Sequence, residues 1–311
     1  MKTISILIPT YNEEDNIKPL CKSIKEEFKK NLPNYAYEII FIDNYSLDKT
    51  RDIIKEVCKT DKHIKAIFNI KNFGQFNSPY YGLMQTTGDA TILLCADFQD
   101  PIDMIHKFVK EWENGYKIVI GIKNKSKENK IVYFFRTCYY KIIKKFSSVE
   151  QIEHFTGFGL YDKDFINILK TLDDSQPYLR GIVAELGFNR KEIPYTQPKR
   201  KNGKSKNNWY SLYDAGMVGI TSYTKGIMRL ATISGFILAF ISFIIGLVYL
   251  IMKLIFWDRF LAGIAPVLIG LFFMGSILLF FIGFLGEYIL NINIRLMKRP
   301  LVIEEKRINF K

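Results

Sequence analysis

The sequence predicts an α/β fold, a mostly parallel sheet with helices on both faces, followed by a C-terminal hairpin of two transmembrane helices. Three observations lead there. Short aliphatic and β-branched runs alternate with amphipathic helical stretches from Ile4 to Ile122. One of these runs, Thr91 to Cys95, ends in an acidic turn holding Asp97, Gln99 and Asp100, at the strand end where an open α/β sheet puts its ligand site. Residues 230–252 and 260–286 contain no charged side chain, and each reaches the length of about 20 apolar residues that crosses a bilayer.

Composition narrows the classes. A chain of 311 residues with 48% hydrophobic content can bury a sizeable core. The formal net charge of +13 predicts an anionic partner: nucleic acid, a phosphorylated substrate or an anionic membrane surface. The apolar spans favour the membrane, and no recognition module for nucleic acid accompanies the charge. Cys21, Cys58, Cys95 and Cys138 have neither metal-ligand nor disulfide-framework spacing, so they read as reduced thiols. No signal peptide is expected, because Met1-Lys2-Thr3 leads straight into a strand-like run.

The elements follow in order. Ile4 to Thr10 reads as a buried first strand, and Tyr11-Asn12-Glu13-Glu14 opens a helix with Ile17, Leu20, Ile24 and Phe28 on its apolar face. Tyr37 to Asp43 is a second strand, followed by a helix carrying Ile53, Ile54 and Val57. Ile64 to Phe68 is a third strand, Asn72-Phe73-Gly74 a turn, Thr91 to Cys95 a fourth strand and Tyr116 to Ile122 a fifth. The acidic turn itself has two readings: hard oxygen ligands for a divalent cation shared with a diphosphate, or an Asp-capped helix with Pro101 in its first turn.

The segments IPTYNEEDNI (8–17), EIIFIDNYSLDKT (38–50), NFG (72–74) and CADFQDP (95–101) resemble, in order and spacing, the motifs of the family 2 glycosyltransferases with the GT-A fold. More narrowly the chain is similar to the polyprenyl-phosphate glycosyltransferases related to dolichol-phosphate mannose synthase and the bactoprenol glucosyltransferases. The similarity continues through residues 201–225, 286–289 and 299–305, so that it spans nearly the whole chain. It implies a Rossmann-like GT-A domain over 1–206, a juxtamembrane amphipathic segment over 207–229, two transmembrane helices over 230–290 and a cytoplasmic basic tail over 291–311. It further implies that Pro9, Tyr11, Glu13 and Asp43 bind the nucleotide donor, a UDP-sugar being favoured. Asp97, with Gln99 beside it, would hold Mg²⁺ or Mn²⁺ on the donor diphosphate and so act catalytically.

Three positions depart from the family pattern. Its Asp-x-Asp reads Cys95-Ala96-Asp97, its Asp-Asp-Gly-Ser reads Asp43-Asn44-Tyr45-Ser46, and a proposed catalytic Asp near 157 is replaced within Thr156-Gly157-Phe158-Gly159. A lipid phosphate, with a second pKa of about 6, is already largely a dianion near neutral pH and needs positioning more than deprotonation. A hydroxyl acceptor would need a base, for which Glu185, Asp162, Asp164 and His154 are the candidates, Glu185 first.

Two basic stretches remain. Residues 131–147 set Phe, Tyr and Ile against Arg136, Lys141, Lys144 and Lys145, which suits either a helix at a membrane surface or one packed on the sheet. Residues 198–208, PKRKNGKSKNN, resemble the family's phosphate loop, which implies Lys204, Ser205 and Lys206 as phosphate contacts of donor and acceptor; a solvated loop or one drawn to anionic lipid headgroups is the other reading. Lys225 and Arg229 precede the first span and Arg295, Lys298, Arg299, Lys306 and Arg307 follow the second. This bias predicts a multi-pass protein of the plasma membrane with the sheet domain and both termini cytoplasmic. Apolar faces on the two spans could also pack in a homo-oligomer. The expected activity is transfer of a sugar from a nucleotide donor to polyprenyl phosphate. The rivals are transfer to a hydroxyl of a lipid-linked saccharide and a degenerate transferase serving as a membrane scaffold.

Overall fold

The computed structural model describes residues 1–125, 152–198, 217, 221, 226–255 and 264–310. The amphipathic stretch 131–147 and the phosphate loop with Lys204, Ser205 and Lys206 lie outside the described residues.

Eight strands form one sheet in the order β7-β5-β6-β4-β1-β2-β3-β8. They are β1 (Thr3–Thr10), β2 (Ala36–Asp43), β3 (Ile64–Asn69), β4 (Ala90–Leu93), β5 (Ile118–Lys125), β6 (Phe155–Asp162), β7 (Arg190–Thr196) and β8 (Glu304–Ile308). β1 pairs in parallel with β2 and β4, β2 with β3, and β5 with β7, while β6 and β8 run against their neighbours. The sheet is therefore mostly parallel, as the β–α alternation predicts.

Burial on both faces explains why the central strands read as continuous apolar runs. Ile4, Ile6 and Ile8 of β1 and Ile39 and Phe41 of β2 look to one side. There they meet Leu20 and Ile24 of α1 (Ile17–Asn31), Ile54 of α2 (Thr50–Thr60) and Phe108 of α4 (Met104–Glu113). Leu7, Ile40 and Ile42 look to the other side, onto Tyr80 and Leu83 of α3 (Gly74–Met84), Phe165 of α5 (Lys163–Thr171) and Ile182 of α6 (Leu179–Glu185). At the β5/β6 contact a Cβ on Gly159 would sit 2.6 Å from the Val119 carbonyl oxygen, so only glycine lets these strands pair.

Four outcomes refine the sequence reading. The first helix starts at Ile17, leaving residues 11–16 as a loop. A helix, α3, follows the Asn72-Phe73-Gly74 turn, where none was expected. The basic tail is no free tail: β8 adds to the sheet edge beside β3, with Val302 buried. Beyond the acidic turn α4 does form, but Pro101 stands ahead of its first turn and the N-cap Asp103 makes no side-chain capping hydrogen bond, so the helix is not the Asp-capped one expected.

The two apolar spans are helices, α7 (Gly226–Ile255) and α8 (Ile264–Leu296). Among the described residues, Phe273–Leu296 is long and apolar enough to cross a membrane.

Candidate active site

The ends of β1, β2 and β4 carry the site. A cavity of about 1020 Å³ opens beside Pro9 and Thr10 at the end of β1 and reaches Tyr11 and Glu13 in the next loop, Asn44 past β2, and Cys95 and Asp97 past β4. The first residues of α3, Asn72 to Tyr80, form another wall, so the positive end of that helix dipole borders the cavity. The cavity then continues past Gln176, Tyr178 and Arg180 to Glu287, Leu290, Asn291 and Ile294 of α8.

The loops at the strand ends are tied by hydrogen bonds. The Asn12 amide donates to Ser46 Oγ at 2.8 Å, Glu13 N–H to Thr50 Oγ1 at 2.7 Å and Leu47 N–H to Asn12 Oδ1 at 2.7 Å. Asn44 gives from its amide nitrogen to Asn72 Oδ1 at 2.8 Å and the Gly74 carbonyl at 3.1 Å, and accepts at Oδ1 from Phe73 N–H at 2.8 Å. An aspartate could not donate there. The departure to asparagine at 44 is thus matched to the Asn72-Phe73-Gly74 turn. Tyr45, standing where glycine is usual, adopts φ 69°, a left-handed conformation that costs a tyrosine about 1 kcal/mol.

Asp97 is 5% exposed and lines the cavity, its Oδ1 accepting the Gln99 amide at 3.1 Å. Phe98, between them, is held at φ 59°. Asp100 turns inward instead: Oδ2 accepts the Cys95 amide at 2.9 Å and Oδ1 the Tyr195 hydroxyl at 3.3 Å. Burial pushes its carboxyl up to about 6, with hydrogen bonds from Cys95 holding it back and the Asp97 charge adding to the rise. Of the two acids in the turn, then, one faces the cavity.

Asp43 is fully buried behind the wall, off the cavity surface. Its Oδ2 accepts the Ser46 amide at 3.1 Å and Arg51 Nε at 2.9 Å. Burial raises its pKa, against the hydrogen bond from Ser46 and the Arg51 charge. Arg51 in turn reaches the Asn69 carbonyl and Glu305 beside β8, both at 2.9 Å. Asp43 therefore anchors the Ser46 turn, and the surface it shapes is offered by Asn44.

The base candidates lie elsewhere. Glu185 ends α6, exposed and off the cavity wall. Asp162 caps α5 and accepts Trp112 Nε1 at 2.6 Å and Lys117 Nζ at 3.1 Å, and Asp164 binds Lys117 at 2.7 Å. None of these three base candidates is on the cavity wall, whose carboxylates among the described residues are Glu13, Asp97 and Glu287. His154, half-buried at φ 59°, is also off that wall.

No group of three or more His, Cys, Asp and Glu side chains among the described residues is set to hold a metal ion. A Mg²⁺-like ion needs no such cage, since it binds through one or two carboxylates, water and the substrate's phosphates. Asp97 on the cavity wall fits that mode. Gln99, half-buried, is not on the wall.

Cys95 gives a direct probe. It is exposed and lines the cavity, whereas Cys21 and Cys58 are buried and burial pushes both thiols up to about 12. In a Cys138→Ser background, N-ethylmaleimide is expected to modify Cys95 alone, and saturating UDP to slow it about tenfold. Equal rates with and without UDP, read by intact mass, would place nucleotide elsewhere.

The glycosyl transferase family 2 model matches residues 5–187. The chain is 33% identical over 297 residues to the putative glycosyltransferase CsbB of Bacillus subtilis, covering 96% of this chain and 89% of that one. It is 30% identical over 305 residues to the bactoprenol glucosyl transferase of Shigella phage SfX, covering 98% and 99%. Among solved structures, mannosyl-3-phosphoglycerate synthase from Rubrobacter xylanophilus shares the fold, with a TM-score of 0.51 at 15% identity over 75% of each chain.

Proposed function

The chain belongs to glycosyl transferase family 2, and we propose on that premise that it moves a sugar from a nucleotide donor to polyprenyl phosphate at a membrane surface. The observation that carries this reading is the single cavity running from Asp97 to the wall formed by α8. A water-soluble donor and a lipid acceptor must meet in one place, and this cavity joins the strand ends to α8. The relative from phage SfX, by its name a bactoprenol glucosyl transferase, matches along 98% of the chain, membrane helices included.

The donor sits at the strand ends, against Pro9, Tyr11 and Glu13, with Asp43 bracing the turn behind them. Asp97 would hold a divalent cation, Mg²⁺ or Mn²⁺, which when bound would supply charge neutralisation for the departing diphosphate. An oxygen of the acceptor phosphate attacks the anomeric carbon, the bond to the diphosphate breaks, and nucleoside diphosphate leaves. The acceptor dianion is its own nucleophile, which agrees with Glu185 lying off the cavity. Lys204, Ser205 and Lys206 supply the phosphate contacts by their match to the family's loop.

The membrane is crossed twice, by α7 and α8, with the sheet domain and both termini cytoplasmic. Phe236, Leu271, Leu279 and Phe280 are each more than 60% exposed, apolar surface that water would penalise and lipid would cover. Two crossings are supported by β8, which follows α8 and returns to the sheet that begins with β1. The positive-inside bias puts that sheet in the cytoplasm.

The test is transfer from radiolabelled UDP- and GDP-sugars to undecaprenyl phosphate in detergent, with Mn²⁺, Mg²⁺ or EDTA. A labelled lipid formed only with metal is the expected result. Metal-dependent donor binding without lipid product would point to a hydroxyl acceptor, and no donor binding to a scaffold.

A further inference from the structure

Polar side chains in the last two turns of α8 reach Thr221 and the loop before α6. Asn291, nearly buried in a helix otherwise rich in apolar residues, donates from Nδ2 to Thr221 Oγ1 at 2.8 Å. One turn on, Arg295 donates from Nε to Asn291 Oδ1 at 3.0 Å and pairs through Nη1 with Asp174 Oδ1 at 3.1 Å. The Arg295 carbonyl accepts Ser175 Oγ at 3.4 Å, and Asp174 Oδ1 also takes the Gln176 amide at 3.0 Å. The loop so held is the one that turns Tyr178 and Arg180 onto the cavity wall. Leu290 and Ile294, four residues apart, put an apolar strip of the membrane helix on the facing wall.

Resting on the reaction proposed above, we propose that the Arg295–Asp174 pair is a positioning clamp for the lipid acceptor. It holds the loop that leads to Tyr178 and the start of α6, with Arg180, against α8, and so fixes the width of the gap that an isoprenyl phosphate must enter and the depth at which its phosphate stops. Leu290 and Ile294 offer the apolar side of that gap, continuous with the bilayer-spanning part of the helix. Asp174 and Arg295 adjoin Ser175 and Ile294, which line the part of the cavity that α8 closes, and it is there that the clamp acts on the acceptor. Arg295 and Asp174 are 38% and 17% exposed, and a pair this open to water adds little to folding stability. Its loss therefore alters placement, and the domain stays folded.

The test uses the full chain in nanodiscs, with Arg295→Ala, Asp174→Ala and Arg295→Lys. Three quantities are read for each: the affinity for a fluorescent polyprenyl phosphate without donor, the KM for polyprenyl phosphate against kcat, and the affinity for UDP. Each alanine variant is expected to weaken lipid-phosphate affinity and raise acceptor KM about tenfold, with saturating kcat within about threefold and UDP affinity unchanged. Arg295→Lys, which keeps the charge opposite Asp174, is expected to recover most of the loss. Unchanged lipid affinity in both alanine variants overturns the clamp, and so does UDP affinity falling in parallel, which marks a general collapse. A parent protein that binds lipid phosphate but transfers no sugar overturns the proposed reaction, and the clamp is then decided by lipid affinity alone. A parent protein that binds no lipid phosphate overturns both.

Discussion

Asp97→Asn is expected to cut sugar transfer by about a thousandfold and to remove the metal dependence of donor binding. The size of the effect follows from the missing redundancy in the turn. Where the family pattern has a second acid, this chain has Cys95, and Asp100 spends both oxygens on Cys95 N–H and the Tyr195 hydroxyl. One carboxylate of that turn is left to hold a cation against the leaving diphosphate. Asparagine keeps an Oδ1 that can still accept the Gln99 amide, a bond of 3.1 Å in the parent, so the turn and the thermal midpoint should survive. The checks are transfer rate, UDP-sugar affinity with and without Mn²⁺, and the melting curve of the same preparation. A variant keeping more than about a tenth of the activity would show that the cation, or its need, has been misplaced.

What the sequence made legible was decided by how each segment is buried. β1, β2 and β3 are covered on both faces, so burial selects unbroken apolar runs and the runs announce the strands. Pro9, Tyr11, Glu13 and Asp97, expected at the strand ends, do line the cavity there, whereas Asp43, the last residue of β2, is buried behind it. α3 was not legible. Its sequence, GQFNSPYYGLM, holds two glycines and Pro79, a poor helix former by propensity. It forms because Tyr80 and Leu83 are buried against the sheet, and because Gly82 lets the helix approach Leu7. A Cβ at 82 would come within 2.7 Å of Leu7 Cδ1. β8, EEKRI, is a charged edge strand whose alternation carries no apolar face. The α8 wall and the loop at 174–178 lie more than 100 residues apart, and a pair such as Arg295–Asp174 is announced by no local pattern. The signal that was present is the polar cluster at the end of the apolar span, Glu287, Asn291 and Arg295, of which Asn291 is 9% exposed.

The same reasoning separates a structural acid from a catalytic one at Asp162. Asp162→Ala is expected to destabilise the domain by about 3 kcal/mol, the sum of a lost helix cap and an indole N–H left buried without an acceptor. The cap is the Asp164 amide, 2.9 Å from Asp162 Oδ1, and the indole is Trp112, 2.6 Å from Oδ2. Lys117 adds little to the loss, since it is 43% exposed and keeps Asp164 at 2.7 Å. Burial pushes the Asp162 carboxyl up, but hydrogen bonds from Trp112, Asp164 and Lys117 outweigh it and hold the folded pKa below the ordinary value. The sign of the pH dependence follows: this stabilisation is fully present above the unfolded pKa of about 4 and is lost as pH falls through the folded value. The gap in midpoint between parent and variant should therefore narrow on acidification. Since Asp162 is off the cavity wall, transfer measured well below the melting range should stay within about threefold of the parent. A variant that keeps its midpoint but loses transfer by orders of magnitude would instead make Asp162 the base that a hydroxyl acceptor needs, and the acceptor phosphate would no longer be its own nucleophile.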